Sequence, residues 1–399
     1  MPLPAKDAVC PEKRLLVCCA RTRVTSATAE EIRKLLAQPL DWDYLLSEAF
    51  ENSITPLFER AIRAADPGAV PPEFAARLKS AFRANTVRCL FLTAELRKIL
   101  ELFQAAGILA IPYKGPVCAA QAYGDITLRE FEDLDIILPQ RDLPKAHEII
   151  LSLGYRPKFP WILSPGAAAS LVPGEYNYRD DARRAMVELH TEITLRHFPV
   201  VPDLDDFARR LVAIDLGGPA VRTLCVEDAL PILCIHGSKD FWERLSWIAD
   251  ISELVQAHPS LDWDQAESRA ESLKAQRMLH LGLALAADIL DAPLPPEILA
   301  RVQADAAPQA VAREVGHRLL SRQLPQLDTK GRFHFRRRLI PGSMAGWRYS
   351  FRLAVVPAEE DWQMVRLPGP LAPLYLALRP LRLLRKYGWA GRRSPRLSS

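Results

Sequence analysis

The chain has no CxxC pair among its seven cysteines and no cysteine–histidine spacing that suits a metal. Cys10, Cys18, Cys19, Cys89, Cys118, Cys225 and Cys234 are odd in number and scattered, which argues against a disulfide framework and against a structural zinc site. No stretch approaches the roughly 18 consecutive apolar residues that a membrane span needs. The first residues lack the basic-then-apolar pattern of a secretion signal, although "RLLVCCA" is a short apolar run. Internal repeats and low-complexity segments are missing as well. These absences predict a reduced, soluble, cytoplasmic protein.

Acidic residues are missing from one end. After Asp361 there is none, whereas Arg366, Arg379, Arg382, Arg385, Lys386, Arg392, Arg393 and Arg396 are basic. The net charge is +4, so residues 1–361 carry 4 − 8 = −4. A mildly acidic body with a basic tail carries no strong nucleic-acid signal, even where "RFHFRRR" at 332–338 mixes aromatic and basic side chains.

What is present supports sizeable cores: 49% of the 399 residues are hydrophobic. From about Ala27 to Gln104 the pattern is helical, with Ser26 as the expected N-cap and Gly107 as a terminator. The texture then changes to "ILAIPYK", a short strand, and "PVCAAQAYG", a short helix ending at Gly124. "DLDIIL" reads as a strand, "RDLPKAHEIILSLGY" as a helix, and "GEYNYRDDARRAMVELHTEI" as two strands around a polar turn. Helical patterns return from Leu204 to about Leu324, strongest in "VEDALPILCIHGSKDFWERLSWIADISELVQAH". After Gln326 the chain is rich in proline and arginine, with "FRLAVVP" as a strand or helix. The predicted fold is α+β: a mixed β-sheet core with helices over 101–203, a helical region at 1–100, a helical domain at 204–326, and a Pro/Arg-rich segment at 327–399.

Asp133 and Asp135 stand out in "DLDIIL". Side chains alternate along a strand, so the two carboxylates share one face while Leu134 and Ile136 point into a core. Two neighbouring carboxylates repel and raise each other's pKa unless a cation lies between them. A divalent cation resolves that conflict, and Mg²⁺ in particular is held by one or two carboxylates together with substrate phosphates. The bland alternative is an edge strand whose solvent face carries two aspartates. Nearby features favour the metal. Lys114-Gly115 lies between a predicted strand and a predicted helix, where glycine lets a backbone approach phosphate oxygens. Arg129 lies just ahead of the aspartates, and "VELH" offers Glu188 with His190 on the same strand face.

The blocks "YKGPVCAAQAYGDITLREFEDLDIIL", "AHEIILSLGY", "MVELHTEI" and "HGSKDFWERLSWIADISELV", followed by "PAEEDWQMVRLPGPLAPLYLALRPLRLL", resemble the bacterial uncharacterised nucleotidyltransferase family of the DNA polymerase beta-like superfamily. That resemblance implies an NTP bound through Mg²⁺ at Asp133 and Asp135, with a two-metal site conceivable. An acceptor hydroxyl would attack the α-phosphorus and pyrophosphate would leave. Glu188 would be the third acidic position, as metal ligand or base, and Lys114, Gly115 and Arg129 would hold the triphosphate. The wider superfamily has Gly-Ser or Gly-Gly where this chain has Lys-Gly-Pro. The acceptor could be a small molecule, a saccharide precursor, a peptide or a protein.

Further candidates follow from residue type. His190 is read either as a base or phosphate donor or as a strand histidine that is simply hydrogen-bonded, His236 and Lys239 are candidate contacts from a helical wall, and Trp247 is assigned to the core. Arg379, Arg382 and Arg385 recur every third residue and predict a basic helix face, either solvated or in peripheral contact with a membrane. The competing functional class is a non-catalytic adaptor that keeps the fold and works through its helical flanks or basic tail.

Overall fold

The structure, a computed structural model, describes residues 9–158, 174–193, 203–322, 325–365, 367 and 369–385. Arg366, Lys386, Arg392, Arg393 and Arg396 of the basic tail lie outside them. Five helices lead the chain: α1 (Pro11–Cys19), α2 (Ser26–Leu36), α3 (Trp42–Glu51), α4 (Thr55–Ala65) and α5 (Pro72–Ala105). The cap of α2 is Thr25 rather than Ser26, because the Thr25 hydroxyl accepts from the Thr28 amide at 3.2 Å. Gly107 adopts φ 71° after α5 and turns the chain towards the sheet, as its position predicts.

The α/β unit follows: β1 (Ile111–Pro112), α6 (Gly115–Cys118) with a π-helical turn to Tyr123, β2 (Asp133–Ile137), α7 (Leu143–Ser152), β3 (Arg156–Pro157), β4 (Glu175–Asp180) and β5 (Ala185–His190). The strand order is β1-β2-β5-β4-β3. Only β2 and β5 run parallel, so the sheet is mixed as expected. Leu134, Ile136, Tyr176, Tyr178, Val187 and Leu189 form its apolar face. They pack with Leu92, Leu96, Ile99 and Phe103 of α5 and Ala146 and Ile150 of α7. Each large buried side chain there contributes about 1.5–3 kcal/mol relative to exposure. The polar face is thereby left for chemistry.

The rest of the chain is α8 (Leu204–Ala208), β6 (Val212–Ile214), β7 (Val221–Thr223), α9 (Val226–Lys239), α10 (Leu245–Ala257), α11 (Trp263–Ser272) and α12 (Gln276–Leu290). It continues through α13 (Pro296–Ala304), α14 (Ala306–Leu320), α15 (Thr329–Leu339), α16 (Ser343–Val355), α17 (Glu359–Met364) and α18 (Tyr375–Leu383). The hairpin β6–β7 interrupts a region expected to be helical. Its turn carries Gly217 and Gly218 at φ 79° and 150°, a Gly-Gly signal between β-branched runs. The long helical pattern at 226–257 also divides, because Phe241 and Trp242 take left-handed φ values of 62° and 52°. The Trp242 ring fills the space left by Gly237 and Gly282, where a Cβ would lie 2.7 and 3.1 Å from it. Leu15, Leu45 and Phe58 share one core with Trp242, Leu279 and Val315, so the leading and trailing helices are packed together.

Two of the three arginines of the expected basic face at α18 turn inward, while Arg385 is exposed. Arg379 and Arg382 point inward and converge on Asp361, which is 1% exposed. Burial would keep that carboxyl protonated, but the two guanidinium groups outweigh it and hold its pKa below the usual range. The outward face carries Leu374, Leu381 and Leu384. Among the described residues no helix is long and apolar enough to cross a membrane.

Candidate active site

Register brings the acidic residues together. Asp135 of β2 stands opposite Glu188 of β5, and Ile137 stands opposite His190. On the other side of β5, Glu188 pairs with Asn177 and His190 with Glu175. Strand alternation therefore sets Asp133, Asp135, Glu188, His190, Glu175 and Asn177 on one face, opposite the apolar one. Lys114 arrives from the turn after β1. Its neighbour Gly115 has φ 54°, and a Cβ there would lie 3.2 Å from the Asp133 carbonyl oxygen. Only glycine suits both the backbone conformation and that close approach.

Asp135 is the hub. The Lys114 ammonium donates to its Oδ1 at 2.6 Å, and the His190 Nε2 lies 3.1 Å from the same oxygen. His190 Nε2 is also 3.5 Å from Glu188 Oε2, so one imidazole joins the two carboxylates. Burial disfavours charge on Asp135, but Lys114 and His190 override it and hold the carboxyl far below its ordinary range. Burial likewise disfavours the imidazolium, yet hydrogen bonds to Asp135 and Glu188 raise His190 to about 9. Asp133 behaves in the opposite way. Burial, and then the Asp135 charge, push its carboxyl up to about 7 against the pull of Lys114.

A cleft of about 560 Å³ opens over Asp133, Asp135 and Lys114. Its walls come from Lys13 of α1, Glu48 and Glu51 of α3, the Arg129–Glu132 segment, His236 of α9 and Trp247 of α10. Glu188 and His190 adjoin it through Asp135. Lys13 and Glu48 form a buried ion pair, and the Asn52 amide donates to the Glu48 carboxylate at 3.0 Å. Trp247 is half-buried: it packs against the main core, as expected, and also lines the cleft wall. Its ring meets His236 edge-on at 5.4 Å and the Arg244 guanidinium at 5.7 Å. Burial, then the charges of Lys114 and Lys239, keep His236 well below its ordinary pKa and hence neutral.

Two expected phosphate contacts have carboxylate partners of their own. Arg129 lines the cleft, but its Nε and Nη2 each donate to Asp250 at 2.8 Å, and the Tyr123 hydroxyl donates to the same carboxylate at 2.7 Å. Lys239 pairs with Glu175 at 2.9 Å. Burial resists charge on Glu175, yet Lys239 and then His190 bring it down to about 2. Alternation in "EYNYRD" marks Glu175 as plainly as it marks Glu188. Asp250, in contrast, lies in an apolar helical pattern that gives no sign of Arg129.

The donor set suits a divalent cation. Ligand atoms of Asp135, Glu188 and His190 lie within 4.8 Å of one another, and Asp133 shares their strand face. Carboxylate oxygens are the ligands that Mg²⁺ prefers, whereas the imidazole already serves as a donor to Asp135 and Glu188.

No curated protein and no solved structure matches the chain. One family model does, from residue 38, just before α3, to residue 291 after α12, which is more than half of the chain and includes the whole sheet. The chain belongs to that family, the uncharacterised nucleotidyltransferases, and is a nucleotidyltransferase.

Proposed function

We propose that the cleft binds an NTP with Mg²⁺ and transfers its nucleoside monophosphate to an acceptor hydroxyl. The reading rests chiefly on the Asp135–Glu188 register pair, with Asp133 on the same face and Lys114 at 2.6 Å. Asp133, Asp135 and Glu188 are the residues that would hold the metal. When bound, Mg²⁺ neutralises phosphate charge and eases ionisation of the attacking hydroxyl. Lys114 has three donors, of which Asp135 takes one, leaving others for triphosphate oxygens. The hydroxyl oxygen bonds to the α-phosphorus, the bond to the bridging oxygen breaks, and pyrophosphate leaves. Glu188 is the carboxylate available to take the hydroxyl proton. His190 keeps Asp135 and Glu188 oriented, as the stiff positioning of such sites requires.

Calorimetric titration of each NTP, with and without Mg²⁺, into wild type and Asp133→Asn tests this. Binding to wild type that needs Mg²⁺ and weakens at least about tenfold in the variant is the expected result, since one charged ligand is lost. Undiminished binding in the variant moves the site elsewhere. No NTP binding by folded wild type favours the adaptor.

A further inference from the structure

We infer that the C-terminal helices α16 and α18 form a docking surface for an anionic lipid bilayer. Large apolar side chains that remain exposed are concentrated there. Of fifteen among the described residues, nine lie from Met344 onward: Met344, Trp347, Phe351, Met364, Val365, Leu371, Leu374, Leu381 and Leu384. They are ordered. Met344, Trp347 and Phe351 are spaced three and four apart on α16 and are 76%, 75% and 58% exposed. At 100° per residue they make one stripe. Leu374, Leu381 and Leu384 make a second stripe along α18, which packs against α16. Scattered apolar residues on a surface need no explanation, but stripes on two helices that pack together do.

Charge selects the occupant. Residues 343–399 carry ten basic and three acidic residues. One of those three, Asp361, is buried and consumed by Arg379 and Arg382. Arg348 beside Trp347 and Arg385 beside Leu384 are exposed at the edges of the stripes. A second copy of the chain would bring an equal positive excess face to face with this one. An anionic membrane supplies the opposite charge and a place for the apolar side chains, with tryptophan at the headgroup level. The inward turn of Arg379 and Arg382 is what frees the leucines to face out. This end also lies beyond the 38–291 family match, and so does not depend on the nucleotidyltransferase reading.

The test is co-sedimentation of the full chain with phosphatidylcholine vesicles with and without phosphatidylglycerol, alongside gel filtration at the same concentration. The variants are Trp347→Glu/Leu381→Glu and, independently, Met344→Gln/Leu384→Gln, all at exposed positions. Wild type is expected to pellet with the anionic vesicles, more weakly in high salt and with neutral lipid. Each double variant is expected to lose at least about tenfold in partitioning, since a buried large apolar side chain is worth about that factor. Absence of pelleting by wild type, or equal pelleting by both variants, overturns the inference. A dimer that dissolves in the variants without vesicle binding also overturns it, in favour of a second copy.

Discussion

Lys114 Nζ lies 2.6 Å from Asp135 Oδ1, and both side chains are almost fully buried. The contact joins the turn before α6 to β2, next to the central strand β5. It places one fixed positive charge among three carboxylates that the register has gathered. An ammonium bound this way screens part of their repulsion, while burial and the Asp135 charge still raise the Asp133 carboxyl.

Lys114→Met follows from that arrangement. Removing one partner of a buried ion pair costs about 3–5 kcal/mol because the other charge stays behind. His190 remains to compensate Asp135, so the lower end of that range is expected. Urea unfolding in chelator and in Mg²⁺ checks it: the metal should stabilise the variant more than wild type. Equal stability of the two proteins in chelator would show that Lys114 is not holding the carboxylates together.

Asp133 makes the metal-free protein sensitive to pH in a defined direction. Its carboxyl is at about 7 in the folded protein, against an ordinary value of 3.8. Between those values the folded state holds more protons than the unfolded state, so stability falls as pH rises from about 4 to about 7 and then levels. His190, raised to about 9, contributes stability that is full below pH 6.5 and lost as pH climbs through 9. Asp133→Asn removes the first effect. The variant should come close to wild type at pH 4 and exceed it by on the order of a few kcal/mol at pH 8 in chelator. Added Mg²⁺ should abolish or reverse that advantage at pH 8. A variant less stable than wild type at pH 8 without metal would contradict the account. Thermal melts at both pH values decide it.

The parts of this site that strand alternation governs could be read from the sequence. Asp133 with Asp135 and Glu188 with His190 each sit two apart between aliphatic residues, so their shared face follows from the pleat. The same rule covers Glu175 and Asn177 in "EYNYRD". What the sequence could not reveal depends on remote partners. Arg129 is tied to Asp250 across 121 positions, and a bidentate pair of that kind leaves no periodic trace. The inward arginines of α18 depend on one carboxylate at Asp361, so residue spacing alone assigns them to the wrong face. Helical spacing places Trp247 against the core, where it packs, but gives no sign that its other edge lines the cleft.

The break between α9 and α10 has the same character and yields the last prediction. Nothing in "GSKDFWERL" forbids a continuous helix, yet Phe241 and Trp242 leave helical geometry and Trp242 is 0% exposed. The cause is space. Gly237 one turn earlier and Gly282 on α12 together leave room for the indole, and a Cβ on Gly237 would come within 2.7 Å of three of its ring carbons. Alanine is the better helix former, by roughly 1 kcal/mol over glycine in a helix interior. Gly237→Ala should nevertheless destabilise the protein by about 1–3 kcal/mol, because overpacking a filled core outweighs that gain. His236, adjacent to Gly237, lines the cleft, so NTP titrations of the variant should weaken together with its stability. Trp242→Phe on its own leaves a cavity and also destabilises. If the two positions compete for one space, the double variant should lose less than the sum of the single losses, a coupling of about 0.5–3 kcal/mol. Strictly additive losses in urea unfolding would mean that the indole does not depend on Gly237, and the break would then need another cause.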